Sequence, residues 1–220
     1  MSADFREERQ EVLEAVRRVV EMGLVSGASG NISRRIRRDG AELFAVTASR
    51  VPYHRFGLGD VLVVDMDVDP VFGDGIPSSE SLCHVAVYGA RPDVGAVIHT
   101  HSVHASAFAV AGARIPEILD EQVIAVGGGV EVAEYGASAS DELAGNAVAG
   151  LADRGAVLLR HHGVLGVGAD LDEAVSVVEL VERVAKIYTL ARSLGGEVAL
   201  LPPGVIESEQ RVYRMMKGFK

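Results

Sequence analysis

The run Val94-Gly95-Ala96-Val97-Ile98, ending in His99-Thr100-His101, constrains this chain more than any other segment. A stretch of β-branched and apolar residues predicts a buried strand. Side chains two apart on a strand share a face, so His99 and His101 project together from its end. Glu80, about twenty residues earlier, and a histidine of His161-His162-Gly163, about sixty later, would complete a site of three nitrogens and one oxygen. Zinc takes such ligands at roughly 2.0–2.2 Å.

The rest of the chain reads as alternating helices and strands. Val12, Val16, Val19 and Val20 recur at helical spacing within an amphipathic helix over about 4–22. Gly23, Gly27 and Gly30 then form a tight loop before Asn31-Ile32-Ser33. Residues 43–47 and 61–65 read as strands, and Glu80 to about Ala90 as a helix stopped by Arg91-Pro92-Asp93. Further helices are expected over about 103–110 and 141–151, and a strand over 155–160. A last long helix is expected from an Asp170 cap to about Leu194. Strands in the first half with helices between them predict a layered α/β or α+β fold.

Composition narrows the function classes. The 220 residues show no linker-like interruption, which fits one domain spanning 1–220. Hydrophobic residues make up 48% but aromatics only 5%, so Val, Ala and Leu must fill the core. A net charge of −10 argues against a general nucleic-acid surface. No apolar run approaches the roughly 20 residues of a membrane span. Cys83 is the single cysteine, so no internal disulfide forms, and with the charged N-terminus this fits a cytoplasmic protein.

Pro77-Ser78-Ser79 ahead of a helix sets two hydroxyls beside free backbone N–H groups, a combination suited to phosphate. It equally suits a plain helix cap followed by a carboxylate that complements the helix dipole. The Ser26-Gly27-Ala28-Ser29-Gly30-Asn31 loop is open to the same two readings, a phosphate cradle or an ordinary turn.

Taken together, these pieces resemble the class II aldolase/adducin family, and within it the L-fuculose-1-phosphate aldolase branch. The resemblance runs through residues 23–33, Val46-Thr47-Ala48-Ser49-Arg50-Val51-Pro52-Tyr53, Pro77-Ser78-Ser79-Glu80, residues 90–102 and His162-Gly163-Val164. It implies a three-layer α/β/α fold around a largely antiparallel sheet, and a homotetramer with sites between subunits. Carried over by position, it implies one Zn2+ on His99, His101 and His162, with Glu80 as both catalytic carboxylate and resting ligand. It also implies a phosphate site at Gly30, Asn31, Ser49, Arg50, Ser78 and Ser79. His162 is preferred to His161 as the ligand because it directly precedes the glycine; His84 is expected to pack or support, and His54 and His104 to be structural. The implied reaction is reversible cleavage of a ketose 1-phosphate, L-fuculose 1-phosphate or a 5-deoxy-pentulose 1-phosphate, to dihydroxyacetone phosphate and an aldehyde.

The chain departs from the family pattern in three places. Ala48 and Arg50 stand where the family commonly has proline and glycine, and Ala28 where it often has a hydroxyl residue. Glu121 falls near the place of the branch's proton-donating tyrosine and is a candidate second acid. Ribulose-phosphate 4-epimerases share the metal but carry Asp in place of Glu80. Methylthioribulose-phosphate dehydratases, sugar-acid-phosphate decarboxylases and a metal-free adducin-like scaffold also fall within the resemblance. A two-metal hydrolase is disfavoured by the lack of a second carboxylate cluster at suitable spacing.

Overall fold

Eight strands form one sheet in the computed structural model, which describes residues 5–38 and 40–219. The expected start of the first helix near Asp4 lies outside the described residues. In chain order the elements are α1 (Arg6–Glu21), β1 (Asn31–Arg38), β2 (Ala41–Thr47), β3 (Val61–Asp65), β4 (Pro70–Phe72), α2 (Ser81–Ala90), β5 (Ala96–Thr100) and α3 (Val103–Ala111). They continue with α4 (Asp120–Val126), β6 (Val132–Ala133), α5 (Asp141–Leu151), β7 (Ala156–Leu159), β8 (Gly163–Gly168), α6 (Leu171–Ser193) and α7 (Pro203–Lys217). The strand order is β4-β3-β2-β1-β5-β8-β7-β6, antiparallel except for the short β6–β7 pair.

Strand alternation sorts the core into layers. Ala96 and Ile98 of β5 pack with Val12, Val16 and Val19 of α1 and Val175 and Val178 of α6. Val97 points the other way and joins Val87 and Tyr88 of α2 and Leu143, Ala147 and Leu151 of α5. A third cluster seats α3 and the middle of α6 on Leu158 and Val164. The architecture is therefore the three-layer α/β/α fold with a largely antiparallel sheet. None of the described helices is long and apolar enough to cross a membrane.

Arg91-Pro92-Asp93 does more than stop α2. Arg91 grips the Asp93 carboxylate through two nitrogens, Nε–Oδ1 at 2.8 Å and Nη2–Oδ2 at 2.7 Å. Its remaining nitrogen donates to the Ala152 carbonyl at 2.7 Å. The turn into β5 is thereby tied to the end of α5, and β5 enters the centre of the sheet already anchored.

The helices expected near 80, 103, 141 and 170 all form, and the Asp170 carboxylate accepts from the Glu173 N–H at 2.8 Å as the cap. Strand β1 is not foreshadowed by an apolar pattern, since Asn31-Ile32-Ser33 reads only as the sequel to a glycine loop. Its polar character has a physical reason: Asn31, Ser33 and Arg35 share the α2-facing side of the sheet and find buried polar partners there.

Candidate metal centre and cleft

The β5 end and the β7–β8 hairpin bring the histidines together. His99 pairs in register with Leu165 of β8 on one side and Asn31 of β1 on the other. His162 is the last residue of the hairpin turn, and its N–H donates to the Leu159 carbonyl at 2.9 Å. Two glycines let the strands close up here. A Cβ at Gly163 would meet the Thr100 carbonyl oxygen at 2.3 Å, with His99 and His101 ring atoms at 3.1 and 3.2 Å. A Cβ at Gly30 would stand 2.6 Å from the His99 carbonyl oxygen, and its φ of +87° is a left-handed backbone.

The same turn separates the two adjacent histidines. His161 has φ of 57°, the left-handed conformation best tolerated at such a turn position by Gly or Asn. Its ring faces Tyr135, with centroids 6.1 Å apart. His162 instead joins His99 and His101, with ring centroids 4.7 and 4.9 Å away.

One ligand atom from each of His99, His101 and His162 falls within 4.8 Å of the others, a group able to hold a metal ion. His99 Nε2 lies 2.9 Å from His101 Nε2 and 3.3 Å from Glu80 Oε2, and Glu80 Oε1 lies 3.1 Å from His162 Nε2. Donors bound at about 2.05 Å around a tetrahedral ion stand roughly 3.3 Å apart, so the donor set fits zinc. His99 Nδ1 donates to the Val164 carbonyl at 2.9 Å, which leaves Nε2 as a bare lone pair aimed into the group. Burial, reinforced by the neighbouring His162 and His101, brings the His99 pKa down to about 3 despite the opposing Glu80 charge. His101 is lowered too, first by burial and then by His162. Both rings therefore hold the neutral form that a metal needs.

Glu80 occupies the cap position of α2, but its carboxylate does not cap the helix. It turns to the histidines, accepting from Asn31 Nδ2 on Oε2 at 2.9 Å and from Ser138 Oγ on Oε1 at 2.8 Å. Burial pushes this carboxyl up, but His99 and His162 beside it, with the Ser138 and Asn31 donors, outweigh burial and hold it below its ordinary value. Ser138 was missed by sequence reasoning: it lies in the loop before α5, the helix that Ser140 caps by accepting from the Leu143 N–H at 3.1 Å.

A cleft of about 180 Å³ opens onto this group. Its walls include Gly30, Asn31, Ser49, Arg50, Ser78 and Ser79, together with Glu80, His101 and His162. Backbone pairing brings the two serine loops together: Ser49 N–H donates to Ile76 O at 2.8 Å and Ser78 N–H to Thr47 O at 3.1 Å. Tyr53 Oη, donating to Gly30 O at 2.8 Å, ties in the glycine loop. Arg50 is exposed, has φ of 63°, and makes no salt bridge among the described residues.

Two expected assignments look different in three dimensions. The Asn31 side chain, expected at a phosphate, is engaged on both ends, by Glu80 and by His84 Nε2 at 2.5 Å. Glu121 is not brought to the cleft of its own protomer; it lies on α4, exposed, with Arg183 Nη2 at 3.1 Å. The acidic character of the first turn of a surface helix accounts for its placement. His104 bonds Glu182 through Nδ1 at 2.7 Å, His54 is exposed, and His84 is fully buried behind Asn31.

With this geometry in view, residues 10–189 match the family model described as "Class II Aldolase and Adducin N-terminal domain". The chain is 34% identical over 205 residues to the 5-deoxy-D-ribulose 1-phosphate aldolase of Bacillus thuringiensis serovar kurstaki, covering 93% of this chain and 94% of that one. It is 32% identical to the L-fuculose phosphate aldolase of Haemophilus influenzae, covering 87% of each. A solved structure of an L-fuculose 1-phosphate aldolase superposes with a TM-score of 0.87 at 34% identity, covering 94% of this chain and 96% of that one.

Proposed function

The chain belongs to the class II aldolase and adducin family, and from that premise we propose that it is a zinc-dependent aldolase reversibly cleaving a ketose 1-phosphate. The substrate is L-fuculose 1-phosphate or a related 5-deoxy-pentulose 1-phosphate, and the products are dihydroxyacetone phosphate and an aldehyde. One observation carries the reading: a buried, ionised Glu80 lies against His99 and His162 of the three-imidazole group, beside a cleft whose other walls include the glycine and serine loops.

His99, His101 and His162 would hold the zinc ion, with Glu80 as the fourth donor of the resting site. Bound there, the ion would supply Lewis-acid polarisation of the substrate carbonyl and stabilise the negative charge that develops next to it. Glu80 is the base that moves the proton at the carbon beside that carbonyl, returning it in cleavage and removing it in condensation. The Gly30, Ser49, Ser78 and Ser79 loops, with the Arg50 guanidinium above them, would fix the phosphate and so set the reacting carbons against Glu80. Glu121 would serve as an acid only across a subunit boundary, as in the homotetramer implied by the resemblance.

Phosphorus and proton NMR of zinc-loaded protein with L-fuculose 1-phosphate, 5-deoxyribulose 1-phosphate and L-ribulose 5-phosphate tests this reading. Dihydroxyacetone phosphate is expected from a ketose 1-phosphate. An epimer or a dehydrated product in its place would reject the aldolase in favour of another reaction at the same metal group. A protein that neither retains zinc nor changes any of the three would be a scaffold.

A further inference from the structure

Behind Glu80 runs a file of buried polar side chains that the reaction itself does not touch. Glu80 Oε2 meets Asn31 Nδ2 at 2.9 Å, Asn31 Oδ1 meets His84 Nε2 at 2.5 Å, and His84 Nδ1 meets Ser33 Oγ at 2.6 Å. Ser33 Oγ then meets Tyr88 Oη at 2.7 Å. Ser33, His84 and Tyr88 have no exposed surface and Asn31 only 3%, so water cannot substitute for any member. Two elements build the file: Asn31 and Ser33 are alternate residues on one face of β1, and His84 and Tyr88 are one turn apart on α2.

We propose that His84, Ser33 and Tyr88 are positioning residues that lock the Asn31 amide in the one orientation that donates to Glu80. The inference rests on the reading of Glu80 as the base. An ionised carboxylate only accepts, so Asn31 must present its NH2 to Glu80 and its carbonyl oxygen to His84. His84 must then carry its hydrogen on Nε2, which leaves Nδ1 as an acceptor. Ser33 must donate to that nitrogen, and its own oxygen accepts from the Tyr88 hydroxyl. Every member has one consistent direction, set from the carboxylate outward.

The direction matters because His84 has a single ring proton to place. Burial lowers its pKa to about 4, against the pull of the Glu80 charge, so the ring is neutral at ordinary pH. In the other tautomer two lone pairs, His84 Nε2 and Asn31 Oδ1, would face each other at hydrogen-bond distance. The amide would then rotate, pointing its oxygen at the carboxylate and driving Glu80 away from its place between the histidines. With Tyr88 donating to Ser33, Nδ1 is the acceptor that the buried Ser33 proton meets, which weighs against that tautomer.

The test combines a spectroscopic and a kinetic readout. The 15N imidazole spectrum of the wild-type protein, with His84 assigned by comparison with His84→Gln, should show the Nε2–H tautomer. Ketose 1-phosphate cleavage by zinc-loaded His84→Leu should lose about 10- to 100-fold in kcat with KM within about twofold, because positioning of the base and not substrate binding is disturbed. Ser33→Ala should lose less, and Tyr88→Phe least. His84→Gln, which keeps an N–H near the position of Nε2, should recover most of the loss. A Nδ1–H tautomer in the wild type, or a folded His84→Leu protein with wild-type kcat, overturns the proposal. Should His84→Leu fail to fold, the wild-type spectrum and the two milder variants decide. A wild-type protein that turned over no sugar phosphate would reject the aldolase reading, and the spectrum alone would then decide the direction of the file.

Discussion

Gly163 stands against Thr100: a Cβ on the glycine would meet the Thr100 carbonyl oxygen at 2.3 Å. No flexible group is available to give way, because the atom that would be struck belongs to the backbone of the central strand. Gly163→Ala must push the β7–β8 hairpin off β5 and take His162 with it. A stability loss of about 1–3 kcal/mol is expected, with zinc affinity falling by at least about tenfold. Thermal denaturation and competition with a chromophoric chelator check both; an unchanged affinity would mean that His162 is not held by this contact.

His101→Ala removes a half-buried ring at the strand end and leaves the core layers untouched. The protein should fold, with circular dichroism like the parent, while zinc retained after gentle purification drops below about a tenth of one equivalent per chain. Full activity of metal-free His101→Ala would remove the histidine group from the mechanism.

Glu80→Gln keeps the shape of the side chain but cannot take a proton. Turnover is expected to fall by at least about 100-fold, in line with the loss of a general base, while part of the zinc remains. Ser138→Ala removes only the donor to Oε1. It should cost less, a few-fold in kcat, and raise the pH at which activity is lost on the acid side, since one of the groups holding Glu80 ionised is gone. Steady-state rates from pH 4 to 8 for both variants check this order.

The Arg91–Asp93 pair sets a pH dependence of stability away from the cleft. Burial raises the Asp93 carboxyl, but the two Arg91 hydrogen bonds and its charge overcome this and hold it below the ordinary 3.8. A folded-state value below the unfolded one means that the stabilisation is fully present above about pH 4. It is lost as pH falls through the lower folded value. Asp93→Asn should lower stability by about 1–2 kcal/mol at pH 7 and flatten the loss below pH 4. Urea midpoints measured from pH 7 down to 3 would count against the pair if the two proteins stayed parallel.

Much of this was legible in the sequence, for reasons that can be located. The β5 run and its two histidines follow from apolar continuity and strand parity, α2 from its Arg91-Pro92-Asp93 stop and α6 from its Asp170 cap and apolar stripe, and α3 and α5 form where helices were expected. β1 was not legible as a strand because its α2-facing positions are polar, and those positions are the ones that serve Glu80 and the file behind it. β8 hid behind Gly163, Gly166 and Gly168, each needed where a side chain would strike β5 or α6. α7 opens at Pro203 after a Pro202 cap and fully buries only Tyr213; its apolar residues Val205, Ile206, Val212, Tyr213 and Met216 do recur at helical spacing, a pattern the sequence reading passed over. Ser138 carried no signal, since one serine in a loop acquires meaning only when a carboxylate from α2 lies beside it.

Arg50 places a cation at the cleft in a backbone conformation that disfavours it. With φ of 63° it pays roughly 1 kcal/mol of local strain, and no salt bridge among the described residues offsets that. Strain kept at the rim of a cleft points to a role in binding. Arg50→Gly relieves the strain but adds flexibility to the unfolded chain, so the net change in stability should stay within about 1 kcal/mol. Binding should change far more: removing a charge-assisted contact to a phosphate dianion should raise KM for a ketose 1-phosphate by about tenfold or more. The affinity for inorganic phosphate should fall with it, and the salt dependence of KM should weaken. Arg50→Lys separates charge from shape, and should recover the salt dependence but only part of the affinity, because an ammonium cannot make the paired contact of a guanidinium. Titration calorimetry with phosphate and steady-state kinetics at two ionic strengths measure both, and an Arg50→Gly protein with unaltered KM and phosphate affinity would take Arg50 out of the phosphate site.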